Sequence, residues 1–85
     1  MLMQGRTHAA EKVQMDSSRR LPVSFCWRGR YYRVSGVEEL WRTVGRWWDG
    51  EGERTFFRVL CTGGGILELC YDHALRQWSV HRIED

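Results

Sequence analysis

Cations and aromatic rings interleave along the strand-like stretches of this 85-residue chain: Arg28, Tyr31 and Arg33 early, Phe56 and Arg58 in the middle, Glu68 and His81 late. Residues of these types recognise partners rather than make or break bonds. Rings stack on nucleobases or fill pockets on proteins, and guanidinium groups take phosphate or carboxylate oxygens. The same set also forms a solvated ladder of cross-strand pairs, an ordinary way to stabilise a sheet. A second candidate is Arg46-Trp47-Trp48. Two adjacent residues of a strand or turn point to different sides, so one indole is hard to bury and could anchor a protein partner. Alternatively, one indole joins the core and the other lies under Arg46 as a cation–π lid.

Bond-making chemistry finds little support. Gly63-Gly64-Gly65 leads into a strand-like run, whereas a phosphate loop leads into a helix beside a Lys and a hydroxyl, so a hairpin turn is expected. Cys26, Cys61 and Cys70 are odd in number, fall in strand-like stretches and form no CxxC pair. They read as small buried thiols rather than disulfide or metal ligands. Asp72 with His73, and His81 with Glu84 and Asp85, lack a neighbouring nucleophile, and turn capping and solvation are the expected roles. The expectation is therefore a protein that is not an enzyme, with no catalytic residue, cofactor or metal.

Composition bounds the partner. The formal charge is +2, but residues 1–20 hold four bases against two acids, whereas residues 21–85 hold nine arginines and nine acids. The excess thus sits in the first segment, which weakens an argument from net charge to nucleic acid. Lys12 is the single lysine. The arginine bias suits an aromatic-rich surface, and high genomic GC content would produce it equally well. No run approaches the roughly 18 apolar residues of a spanning helix and the first ten residues lack a signal-type apolar core, so a cytoplasmic protein without a membrane partner is expected.

These side chains need a scaffold, and the five tryptophans supply bulk for one, because a short chain has little apolar surface to bury. Residues 1–20 read as a flexible tail with a weak helix near Ala9 to Met15, and residues 21–85 as a single small globular domain. Val23, Phe25 and Trp27 alternate with polar residues, Arg28-Gly29 marks a turn, and Tyr32 and Val34 continue a hairpin. Ser35 and Glu38 fit a capping box, followed by Val37, Leu40, Trp41 and Val44 at i, i+3, i+4 and i+7, which predicts a short amphipathic helix. Further strands are expected at 54–61, 66–71 and 77–83. The predicted fold is α+β: a five-stranded antiparallel sheet with one short helix after the second strand. Alternation alone leaves open whether the sheet curls into a small open barrel. The expected inner set includes Val23, Leu40, Trp41 and Val44 beside Phe25, Trp27, Phe57, Val59, Leu67, Leu69, Trp78 and Val80.

Phe25-Cys26-Trp27-Arg28-Gly29-Arg30, Arg46-Trp47-Trp48, Arg54-Thr55-Phe56-Phe57-Arg58-Val59, residues 65–72 with Glu68-Leu69 inside, and Trp78-Ser79-Val80-His81-Arg82 resemble, taken together, one pattern. It is similar to a small bacterial domain of unknown function found at the C-terminus of ImuB-like proteins. Those are inactive relatives of Y-family polymerases that serve in translesion synthesis. The resemblance spans residues 22–85. It implies an accessory role near DNA-damage tolerance, by contact with protein or DNA and without catalysis. The chain lacks the polymerase-like and clamp-binding portions of ImuB-like proteins.

The expected function is thus a non-enzymatic binding module that contacts a protein partner through Arg28, Tyr31, Arg33, Arg46, Trp47, Trp48, Phe56, Arg58 and His81. Single-stranded nucleic acid is the alternative ligand. A homo-oligomer built on an exposed edge strand stays open.

Overall fold

The computed structural model describes residues 8–44 and 52–82, and Arg46, Trp47 and Trp48 lie outside them. The described residues form six strands: β1 (His8–Met15), β2 (Pro22–Trp27), β3 (Arg30–Val44), β4 (Glu53–Cys61), β5 (Ile66–Asp72) and β6 (Gln77–Arg82). Each pairs antiparallel with the next, and β1 also pairs with β6 through His8 opposite Val80 and Ala9 opposite Ser79. The result is a closed barrel. It corrects the α+β, five-stranded expectation: among the described residues there is no helix.

Two misreadings share one physical cause, β-bulges. The segment read as a helix continues β3. Its pairing with β4 slips by one residue between Val34 and Gly36 and again between Val37 and Glu39. Each slip inserts an extra residue, so the residues set against the inward positions of β4 become Val34, Val37 and Leu40, opposite Cys61, Val59 and Phe57. A spacing of three imitates a helical stripe, although the backbone is extended throughout. Ser35, the supposed cap, donates its hydroxyl to the Leu60 carbonyl at 3.2 Å instead.

The segment read as a tail with a weak helix is β1, the strand that closes the barrel. Lys12 sits at φ 52° within an irregularity between Glu11 and Gln14. This places Ala10 and Val13 against the core at helical rather than strand spacing. Ala, Glu, Lys, Gln and Met also favour helices. Pairing partners on both sides override that local preference.

Inside the barrel, Phe25, Val59, Leu69 and Val80 are fully buried, surrounded by Trp27, Phe57, Cys61 and Leu67. Phe25 stacks on Tyr32 at 5.2 Å, and Trp78 packs against Phe57 and Tyr71. Three expected core members are exposed: Val23, Leu40 and Val44, the last at 81%. Trp41 is half-buried on the outer wall. Leu40 and Val44 occupy the far stretch of β3, which pairs only with β4. The three free cysteines follow the reading as inert thiols: Cys61 and Cys70 are buried, Cys26 is half-buried, and burial pushes the Cys61 and Cys70 thiols above their ordinary pKa.

Candidate functional site

Barrel closure divides the arginine-aromatic set between two patches. β1, β2 and the first part of β3 build one side, and the rest of β3 with β4, β5 and β6 builds the other.

On the second side, the outward residues of β3, β4, β5 and β6 satisfy one another. Phe56 stacks on Trp41, with ring centroids 5.2 Å apart. Arg58 donates to Glu39 at 3.1 Å and lies 5.9 Å over the Trp41 ring. Arg54 reaches Asp72 at 3.2 Å, Arg42 reaches Glu53 at 3.4 Å, and His81 stands directly across the ladder from Glu68. Exposed pairs of this kind contribute about 0–1 kcal/mol each. Their importance here is that three arginines already have carboxylate partners.

Asp72 also anchors the β5–β6 turn. Its Oδ1 accepts the amides of Ala74 and Leu75 at 3.0 and 3.1 Å. The Leu75 amide foremost, then Arg54 and the Ala74 amide, hold its carboxyl below the usual range. The neighbouring His73 ring meets the buried Thr55 hydroxyl at 2.7 Å. The turn-capping role expected for Asp72 is thus what the geometry shows.

The first side is different. Arg28 and Gly29 adopt φ 55° and 76°, the positive pair that a two-residue hairpin turn of the I′ kind requires. This turn throws Arg28 back over the Trp27 ring at 5.2 Å. On the returning strand Tyr31 is 67% exposed, and Arg30 and Arg33 are exposed on either side of it. Across the barrel rim the β4–β5 turn is fastened to this strand by the Thr62 amide, which donates to the Arg33 carbonyl at 2.8 Å.

Between hairpin and turn lies a groove of about 600 Å³, lined chiefly by Trp27, Arg30, Tyr31, Arg33 and the three glycines 63–65. The glycines hold φ of 93°, 95° and 101°, a left-handed region that other residues rarely enter. A Cβ at any of them would meet nothing within 4 Å, so this wall is open backbone. No Asp or Glu lines the groove. Among the described residues, no carboxylate pairs with Arg28, Arg30 or Arg33.

Charge follows the same division. Residues 8–35 hold six bases and two acids, whereas the described residues from 36 onward hold five of each. Dividing the sequence at residue 20 hides this, because the hairpin arginines are then averaged with the acids of β3 to β5.

The structure therefore brings Arg28, Tyr31 and Arg33 to one patch, and Phe56, Arg58 and His81 to another. Arg30 and residues 63–65 were missing from the expected set. Strict alternation puts Arg30 on the inner face with Tyr32, but at the rim an inward residue faces the barrel mouth. The usable signal was Arg30 and Arg33 flanking Tyr31 immediately after a hairpin turn. Among the described residues no group of three His, Cys, Asp or Glu side chains gathers as metal ligands would.

A family model described as a domain of unknown function, DUF6504, matches residues 4–85. Nothing in that match links the chain to ImuB-like proteins. No curated protein and no solved structure matches it.

Proposed function

We propose that this chain, which belongs to the DUF6504 family, is a non-enzymatic binding module whose working surface is the rim groove between the β2–β3 hairpin and the β4–β5 turn, and whose partner is anionic there. One observation carries this reading. Arg30 and Arg33 line a groove without a carboxylate, whereas Arg42, Arg54 and Arg58 are each paired with one. A cation that keeps its charge toward solvent, beside an exposed ring, is poised for a partner.

Retention on a sulfated-polysaccharide column at low salt tests it. Arg30→Glu with Arg33→Glu should elute much earlier than Arg54→Glu with Arg76→Glu, although the net charges are equal. Equal elution of the two variants would assign retention to net charge and overturn the reading.

A narrower form places the module in DNA-damage tolerance as an accessory contact. It is supported by the motif resemblance of residues 22–85 to the C-terminal domain of ImuB-like proteins, in which Arg46-Trp47-Trp48 takes part. Deleting the gene should lower the mutation frequency induced by DNA damage in its own cells. An unchanged frequency removes this narrower form.

A further inference from the structure

Resting on the anion-binding reading, we propose that the rim groove holds a single strand of nucleic acid, with a base stacked on Tyr31 and the backbone phosphates on Arg30 and Arg33. Three features point to this ligand among anions. The Tyr31 ring is 67% exposed on a strand flanked by cations, and stacking on such a platform is how small β-domains hold unpaired bases. A duplex offers no free base face to the ring, which selects a single strand. Tyr31 and Arg33 leave the same side of β3 two residues apart, about 7 Å along an extended backbone. That is a step suited to placing a base on the ring and its phosphate on the guanidinium.

The opposite wall is the glycine turn. Its missing side chains leave the peptide backbone open to the groove, so a sugar or phosphate can approach it closely. An acidic peptide is the competing anion. Peptides usually dock on small β-domains by adding a strand to a free edge, and here every strand has a neighbour on both sides. An acidic peptide would therefore rely on charge alone, without use for the tyrosine.

The full chain is titrated by fluorescence anisotropy with labelled oligothymidylate, the matching duplex and polyglutamate at low salt. The single strand should bind most tightly. Tyr31→Ala should weaken it roughly five- to hundredfold while leaving column retention on the sulfated polysaccharide intact. Arg30→Ala with Arg33→Ala should flatten the salt dependence of log K by about one unit of slope. Phe56→Ala, on the self-paired wall, should change oligonucleotide affinity less than twofold. Melting curves verify that the Tyr31 and Arg variants are folded, as expected for exposed side chains.

No oligonucleotide binding at low salt, tighter binding of polyglutamate, or indifference to Tyr31→Ala would each overturn the nucleic-acid assignment. If arginine-dependent retention on the column survives such a result, the broader anion-binding reading stands. If retention also proves independent of Arg30 and Arg33, both fall.

Discussion

Trp41 lies face to face on Phe56 across the β3–β4 ladder, with ring planes 5° from parallel, and the Arg58 guanidinium covers the indole from above. The stack sits on the outer wall of the barrel. Its neighbours in sequence, Leu40 and Phe57, oppose each other on the other face of the same ladder. One residue of register separates the two pairs, and that residue decides which ring supports the core and which one decorates the surface.

Stability should therefore respond unequally to the two rings. Phe25→Ala, at a fully buried position, should cost about 3–5 kcal/mol. Trp41→Ala should cost only about 1–2 kcal/mol, the worth of an exposed aromatic pair with part of its area. At roughly 4–8 °C per kcal/mol for a domain of this size, calorimetry separates the two outcomes. Similar melting shifts would contradict the placement of Trp41 on the outer wall.

Removing residues 1–15 should open the barrel. β2 and β6 would each lose a partner, and the core would lose the cover of Ala10 and Val13. The truncated chain should melt far below the full chain or fail to melt cooperatively. Exposed strand edges should also make it self-associate, which light scattering detects.

The Asp72 turn predicts a pH dependence with a definite sign. Its folded-state pKa is depressed, first by the Leu75 amide and further by Arg54 and the Ala74 amide. The stabilisation is therefore complete above the unfolded pKa, near 3.8, and is lost as pH falls through the lower folded value. Asp72→Ala should melt several degrees below the parent at pH 7. The gap should narrow below about pH 4. A gap that persists unchanged at pH 2 would mean that the carboxylate charge plays no part.

Thiol labelling should follow burial. Cys26 is half-buried, whereas Cys61 and Cys70 are buried with raised pKa values. At pH 8 an alkylating reagent should modify Cys26 first and the other two only after denaturant is added. Mass spectrometry of the labelled protein follows the order. Early modification of Cys61 would show that the barrel opens readily.

The sequence alone determined the regular strands and the turns between them. Phe25 and Trp27, Phe57 and Val59, and Leu67 and Leu69 alternate at period two because each strand has one dry face, and Arg28-Gly29 and the glycine run announce chain reversals. Tertiary structure decided the rest. β1 and the second half of β3 take their extended form from partners distant in the chain, and bulges at Lys12, Ser35 and Glu38 shift their apolar spacing from two to three, which imitates a helix. Closure then turned one imagined sheet face into two separate patches. Local spacing carries information about a strand's own neighbours. Whether Arg58 meets Glu39 and Arg33 meets solvent depends on register and on how far a ribbon curls, which are set only when strands from opposite ends of the chain pair.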